Sequence, residues 1–237
     1  MACILHIETS TAVCSAALSK DGEVIASKAS YEGPGHAALL GVFVKELLAE
    51  GERRGLKPEA VAVSQGPGSY TGLRIGTSLA KGLCFGRGLP LLAVPTLQLL
   101  ASAALKRPEL PADEGLLLCP MIDARRMEVY AALYDRKLQR VRAPQADIVT
   151  ADTYATFLAE HQVCFFGNGA AKCRPLIATD KAVFLDDLVP LAADMAPLAE
   201  AAFAASRFED TAYFVPFYLK DFQASIPKNP LLNLVKN

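Results

Sequence analysis

The sequence of 237 residues lacks several features that would place it in a large class of proteins. Its formal net charge is only −1 and its pI is near 6.3, so it has no basic excess with which to bind nucleic acid unaided. Its apolar runs end well short of the roughly 20 residues that cross a bilayer. No basic segment precedes a signal-like apolar run at the N-terminus, so we expect a cytoplasmic protein with no membrane contact.

Motifs for metal binding and for common nucleotide sites are also missing. The six cysteines form no CxxC pair and lie mostly in apolar stretches, which indicates buried, reduced thiols. The three histidines are scattered and belong to no HExxH motif, so we expect no metal site. Neither a P-loop nor a convincing dinucleotide fingerprint is present. A hydrophobic content of 52% nevertheless supplies ample material for a core.

The sequence does contain a dense glycine motif, SQGPGSYTGLRIG, at residues 64–76. Residues 60–63 predict a buried strand that ends at this motif, and a helix should begin near Thr71 with Ser69 or Thr71 as its cap. Small residues recur every fourth position of that helix, so one of its faces carries no bulky side chain. The loop is either an anion cradle or a tight connection, and its chemistry favours the tight connection.

Apolar patterning predicts a series of strands and helices that occurs twice. In the first half we expect strands at 2–7, 13–18, 24–29, 60–63 and 89–94, and helices at 36–50, from Thr71, and at 95–105. After a proline-rich, charged stretch at 106–115 we expect strands at 116–122, 128–135 and 163–166, and helices at 151–160 and 195–208. This pattern predicts an α/β fold of two related halves, residues 1–105 and 106–237, of which the second is less regular.

Two predicted strands end in residues that suit a ligand. Strand-end carboxylates and hydroxyls face phosphates or a metal in some nucleotide-binding folds, but such a carboxylate can equally accept hydrogen bonds from nearby backbone N–H groups. We regard six residues at these ends, or in the Gly-Asn-Gly turn after a later strand, as weak nucleotide-binding candidates: Glu8, Thr9, Ser10, Asp123, Gly167 and Gly169.

The predicted helix at 36–50 has no polar side chain between Ala37 and Val44. A surface helix should carry charge opposite its buried face, yet charge begins only at Lys45. Burial inside the domain and a subunit interface both explain this stretch.

Several segments, taken in order, resemble the TsaB family, also called YeaZ. They are Ile7-Glu8-Thr9-Ser10, residues 65–76, Ile122-Asp123-Ala124-Arg125 with Glu128-Val129-Tyr130, and Pro216 with Tyr218-Leu219. The first two together are far more specific than either glycine pattern alone. The resemblance implies an actin/Hsp70/sugar-kinase-like (ASKHA) fold of two RNase H-like halves, with the last residues able to return to the first half. It also implies a part in making threonylcarbamoyladenosine next to the anticodon of tRNAs.

The resemblance further implies a noncatalytic partner that acts with the transferase TsaD and with TsaE. TsaD carries an HxxxH metal motif after its corresponding strand, and the matching positions here are Thr96 and Leu100, which cannot replace imidazole ligands. We therefore expect no catalytic residue, no metal and no cofactor of the chain's own, with ATP or ADP held only at an assembled interface. The tRNA would be reached indirectly, through the complex.

Pairing in this family is implied to use the first two helices, which favours the interface interpretation of their apolar and small residues. The predicted partner interface is Ala37, Leu40, Gly41, Val44, Gly72, Gly76 and Ala80. A homodimer through the same surface is expected when TsaD is absent, because a self-complementary patch closes on itself. Leu40→Glu or Gly76→Trp should then abolish pairing and leave the fold intact.

An ATP-dependent phosphotransferase of the sugar-kinase or acetate-kinase class is the alternative, because the implied fold also houses such enzymes. A kinase of this type should turn over Mg-ATP alone, whereas a scaffold should not. A third hypothesis, a peptidase, finds no support in a nucleophile–base pair or a zinc motif, since Ser69 has no recognisable histidine partner.

Overall fold

The computed structural model describes residues 2–33 and 35–220, which form two five-stranded sheets with helices packed on them. The first half contains β1 (Cys3–Glu8), β2 (Cys14–Lys20), β3 (Glu23–Ser30), α1 (His36–Arg53), β4 (Ala60–Gly66), α2 (Tyr70–Arg87), β5 (Leu91–Pro95) and α3 (Thr96–Ala104). The chain continues with β6 (Leu117–Asp123), β7 (Glu128–Tyr134), β8 (Arg140–Ile148), α4 (Ala155–Glu160), β9 (Val163–Phe166), β10 (Ala182–Leu185) and α5 (Ala196–Ala204). Within the described ranges, no helix is both long and apolar enough to cross a membrane.

Both sheets have the same strand order. The first runs β3-β2-β1-β4-β5, with β1 antiparallel to β2 and parallel to β4. The second runs β8-β7-β6-β9-β10, with β6 antiparallel to β7 and parallel to β9. This repeat confirms the prediction of an α/β fold built from two related halves.

Strand β1 is buried along its whole length because helices cover both faces of the first sheet. Leu5 and Ile7 pack in one cluster with residues of α1 and α2. Ile4 points to the other face, where it packs with Leu99 of α3 and Ala199 of α5. Helix α5 therefore helps to cover this face of the first sheet, although it follows the strands of the second half in the sequence.

Some elements differ from those predicted. The helix expected at 195–208 was too long, because α5 ends at Ala204. Ser206 takes a φ of 52°, and the N–H of Arg207 donates to the carbonyl oxygen of Ala202 at 2.9 Å, which closes the helix end. Strands β8 and β10 were not predicted; β8 holds Pro144, which an edge strand tolerates. The last residues of the chain, after Lys220, lie outside the described residues.

Candidate functional site

A cleft of about 710 Å³ lies between the two halves. The first half lines it with residues 10–12, which follow β1, and with the first turns of α1 and α2. The second half contributes Asp123, Arg125 and Asn168, and residues 217–220 form a further wall. A cleft of this size at the ends of buried strands is typical of a small-ligand site.

The glycine motif seats α2 directly on the loop that follows β1. The hydroxyl of Ser69 accepts a hydrogen bond from the N–H of Gly72 at 3.2 Å, which confirms Ser69 as the helix cap. A Cβ at Gly72 would lie 2.0 Å from the carbonyl oxygen of Thr9, and one at Gly76 would lie 2.3 Å from Oγ1 of Thr9. The Thr9 hydroxyl donates to the carbonyl of Gly72 at 2.8 Å. The small residues therefore serve a close contact inside this chain.

Glu8 is fully buried behind this loop and does not line the cleft. Its Oε1 accepts a hydrogen bond from the N–H of Ser10 at 2.5 Å, while Oε2 has no hydrogen-bond partner within the described part of the chain. Burial raises the pKa of Glu8 to about 7, against the opposing effect of hydrogen bonding from Ser10. Of the three candidates at the end of β1 and directly after it, only Ser10 reaches the cleft.

Asp123 lines the cleft from the other side, but its carboxylate already has a cation. Its side chain is 43% exposed and forms an ion pair with Lys172. The Nζ of Lys172 also donates to the carbonyl oxygens of Arg126 and Glu128, at 2.6 and 2.7 Å. Lys172, which the sequence did not single out, thus ties the end of β6 to the turn before β7.

Gly167 and Gly169 do not line the cleft; they pack against β6. A Cβ at Gly167, where φ is +99°, would lie 2.4 Å from the carbonyl oxygen of Met121. Asn168 between them does line the cleft, and its Oδ1 accepts a hydrogen bond from the N–H of Asp123 at 3.0 Å. The Gly-Asn-Gly pattern therefore marks a tight turn that presents one amide side chain.

The segment after α5 returns to the first half and walls the cleft. Phe214 is buried in the core of the first half. The N–H of Phe217 donates to the carbonyl oxygen of Gln65 at 2.8 Å, and the ring centroid of Tyr218 lies 5.0 Å from that of Tyr70. The resemblance implies that the last residues can return to the first half, but no local pattern indicated which residues they contact, because the paired segments are far apart in the chain.

The structure corrects the predicted partner interface. Five of its seven residues are buried inside this chain, namely Leu40, Val44, Gly72, Gly76 and Ala80. Leu40 and Val44 pack in the core between the helices and the first sheet, and the glycines pack on Thr9. Leu40→Glu and Gly76→Trp would therefore damage the fold and cannot test pairing. Only Ala37 and Gly41 of the predicted set are exposed.

An exposed apolar surface does exist on the outer side of the same two helices. We name it the helix face: Ala38, Gly41 and Val42 of α1, with Gly82 and Phe85 of α2. Phe85 is 89% exposed and Val42 is 48% exposed, and the space beside both glycines is open. Large exposed apolar side chains such as these are a feature of interaction sites.

The two positions at which the resemblance implies histidines in TsaD belong to the core here. Thr96 is fully buried at the start of α3, and its Oγ1 accepts a hydrogen bond from the N–H of Gly66 at 3.1 Å. Leu100 is fully buried in a hydrophobic cluster with Ile122 and Phe166. Among residues 2–33 and 35–220, no three His, Cys, Asp or Glu side chains are grouped so that they could hold a metal ion.

Known proteins resemble the chain over most of its length. The profile of the family TsaD, tRNA N6-adenosine threonylcarbamoyltransferase, matches residues 22–228. The tRNA threonylcarbamoyladenosine biosynthesis protein TsaB of Bacillus subtilis is 33% identical over 179 residues, which are 73% of this chain and 74% of that protein. TsaB of Escherichia coli is 29% identical over 228 residues, which are 92% of this chain and 94% of that one.

Solved structures agree with these sequence matches. YeaZ from Pseudomonas aeruginosa superposes with a TM-score of 0.76 at 28% identity, covering 92% of this chain and all of that one. A Pseudomonas aeruginosa protein described as similar to peptidase YeaZ gives a TM-score of 0.78 at 28% identity, over 93% of this chain and 100% of that chain. Sequence and structure comparisons therefore point to one family.

Proposed function

Because this chain belongs to the TsaB/YeaZ family, we propose that it acts in threonylcarbamoyladenosine biosynthesis as a noncatalytic subunit. In this proposal it pairs with TsaD, which performs the transfer to tRNA in the cytoplasm, and it works together with TsaE. It reaches tRNA through the complex, in keeping with its formal net charge of −1. Without TsaD it forms a homodimer.

The observation that carries the pairing is the helix face. Phe85 projects from α2 with 89% of its surface exposed, next to Gly82, where a partner helix has room to approach. Val42 and Gly41 supply the matching apolar and open positions on α1. Two helices that present apolar and small residues outward suit helix-on-helix packing, since small side chains let helix axes come close. We therefore place TsaD, or a second copy of this chain, on the helix face.

The noncatalytic role is supported by the surroundings of the residues that would have to perform chemistry. Thr96 and Leu100 are occupied by a structural hydrogen bond and by core packing. The carboxylate of Asp123 is held by Lys172, and Glu8 is buried away from the cleft. We propose accordingly that the chain has no cofactor of its own and that ATP or ADP binds only where it meets its partner.

A reconstituted reaction tests the role. Threonylcarbamoyladenosine formation on tRNA is measured with TsaD, TsaE and the other pathway proteins, with and without this chain, beside ATP turnover by this chain alone. We expect formation to depend on the chain and the isolated chain to show no turnover. Turnover by the isolated chain, with no effect on tRNA, would instead favour the phosphotransferase.

Charged substitutions test the helix face. Phe85→Glu and Val42→Glu place a carboxylate where apolar surface is to be buried, so pairing with TsaD should weaken at least about tenfold, because an unpaired charge is costly to desolvate. Ile148→Glu is the matched control, since Ile148 is 72% exposed on β8 of the other half. Sedimentation measures pairing and circular dichroism checks the fold. Equal pairing by all three variants would contradict the assignment.

A further inference from the structure

The hairpin turn between β6 and β7 presents two adjacent arginines at the cleft. Arg125 and Arg126 are both exposed, and Arg125 lines the cleft. Their φ angles are 71° and 49°, in the left-handed region that glycine, asparagine and aspartate adopt most readily. Two adjacent residues with longer side chains strain such a turn, and strained backbone often occurs at functional sites. The turn itself therefore does not explain why arginine stands at both positions.

The ion pairs around this turn leave the charge of both arginines uncompensated. Asp123 forms an ion pair with Lys172, and Glu128 forms one with Lys220. Each carboxylate that flanks the turn therefore already has a cation. In the described part of the chain, neither arginine guanidinium has a hydrogen bond or an ion pair. Two positive charges remain at this wall of the cleft, and a bound anion would compensate them.

The backbone of the turn is held in place before any ligand arrives. The N–H of Arg125 donates to Oδ1 of Asp123 at 3.1 Å. Lys172 donates to the carbonyl oxygens on both sides of Met127, those of Arg126 and Glu128. A turn that is already ordered loses little conformational freedom when it binds a ligand. Arg125 is therefore presented to the cleft from a fixed base.

Tyrosine side chains stand beside Arg125 in the cleft. Tyr130 and Tyr218 both line it, and Tyr218 is 38% exposed. Burial raises the pKa of Tyr130, and the charges of Lys220 and Arg125 oppose that shift, which places both cations near its hydroxyl. Arginine binds phosphate through two parallel N–H groups, and tyrosine rings stack on bases. The cleft volume of about 710 Å³ is large enough for a nucleotide unit.

We propose that this wall of the cleft contacts RNA, with Arg125 holding a backbone phosphate and Tyr218 stacking on an unpaired base. The proposal rests on the proposed function, because the RNA is the tRNA that the complex modifies. With a formal net charge of −1 the chain binds RNA weakly by itself, so this contact adds to those made by the complex. Phosphate contacts carry no sequence information, so the site should accept different tRNAs. None of the helix-face residues lines the cleft.

The salt dependence of RNA binding tests the role of Arg125. A fluorescent anticodon stem–loop RNA is titrated with the complex of this chain and TsaD, and anisotropy gives the affinity at several salt concentrations. Arg125→Gln should lower the affinity severalfold and reduce the salt slope of log affinity by about 0.7–0.9, the value for one phosphate contact. Arg140→Gln is the matched control, because Arg140 is exposed on β8 outside the cleft. Equal effects of the two variants, or none, would overturn the proposal.

Substitutions of Tyr218 test the stacking. Tyr218→Ala removes the ring and should weaken RNA binding about tenfold, whereas Tyr218→Phe keeps the ring and should bind like the wild type. Circular dichroism checks that both variants are folded. Equal binding by the two variants would contradict the stacked base. AMP is tested as a competitor, and AMP binding as tight as that of the RNA would overturn RNA as the ligand and identify a free nucleotide instead.

RNA binding by the isolated chain at low salt separates this proposal from the proposed function. If the chain does not pair with TsaD in sedimentation, the proposed function fails, yet Arg125→Gln should still weaken RNA binding by the isolated chain. If pairing is intact and Arg125→Gln changes neither affinity nor salt slope, only the RNA contact fails.

Discussion

Replacing Gly72 with alanine probes the contact that seats α2 on the first sheet. The added Cβ would lie 2.0 Å from the carbonyl oxygen of Thr9, well inside van der Waals contact. A rotamer change cannot relieve this overlap, because Cβ and the carbonyl oxygen are both set by the backbone. Alanine gains up to about 1 kcal/mol in helix propensity, while overpacking typically costs about 1–3 kcal/mol and rises when backbone must move. Because backbone must move here, we take the upper end of that cost, about 3 kcal/mol, and expect a net loss of about 2 kcal/mol.

Gly82→Ala is the matched control in the same helix. A Cβ at Gly82 meets nothing within 4 Å, so alanine should stabilise the chain by about 0.5–1 kcal/mol. Urea unfolding followed by circular dichroism gives both free energies, and repeating it at several protein concentrations separates folding from dimerisation. A Gly72→Ala variant as stable as the wild type would refute the close contact between α2 and the loop after β1.

Three further predictions concern buried groups elsewhere. Glu8 has a folded pKa of about 7 against an ordinary value of 4.5, so between these pH values it takes up a proton on folding, and its contribution to stability is lost as pH rises through 7. The free energy of unfolding of Glu8→Gln should therefore rise by roughly 3 kcal/mol relative to wild type between pH 4.5 and pH 8. Urea unfolding at several pH values measures this difference, and parallel pH profiles of the two proteins would refute it. Phe214→Ala should lower the free energy of unfolding by about 3 kcal/mol, because Phe214 is only 7% exposed. The neighbouring Tyr213 is 83% exposed, so Tyr213→Ala should change thermal unfolding little. Equal effects of the two variants would mean that this segment is not part of the core. Arg142→Met should lower the free energy of unfolding by about 3 kcal/mol, because it leaves the Asp147 carboxylate, whose side chain is 8% exposed, without its cation. Adding Asp147→Asn should recover most of that loss in urea unfolding. No loss in the single variant would mean that the ion pair is unimportant.

Local features of the chain were predictable because their causes lie within a few residues. Asp21-Gly22, a residue pair typical of two-residue hairpin turns, joins β2 to β3 with both residues at positive φ. Ser69 caps α2 because a serine hydroxyl reaches the N–H three residues later. The two-fold repeat of strands and helices could be predicted in the same way, from apolar spacing alone.

The cleft was predictable only in part. Ser10 and Asp123 do line it, but Glu8 and the two glycines near Asn168 lie behind its walls. Composition indicates which strand ends carry carboxylates and hydroxyls, yet it does not say which of them face solvent. That depends on the rotation of each strand in its sheet and on the segment at 217–220, which arrives from the far end of the chain.

By itself, the order of motifs along the sequence determined the family and the α/β fold of two halves, because these depend on local chemistry and periodicity. Only the tertiary structure decided which side of each helix is free. The spacing of Gly72, Gly76 and Ala80 predicts a helix face without bulky side chains. Such a face can pack equally well against a partner or against another part of its own chain. In the structure, Thr9, which lies 63 residues before Gly72, packs against that face. The surface left for a partner is therefore the opposite one, which carries Phe85, because a helix face packed against its own sheet cannot also be buried by another chain.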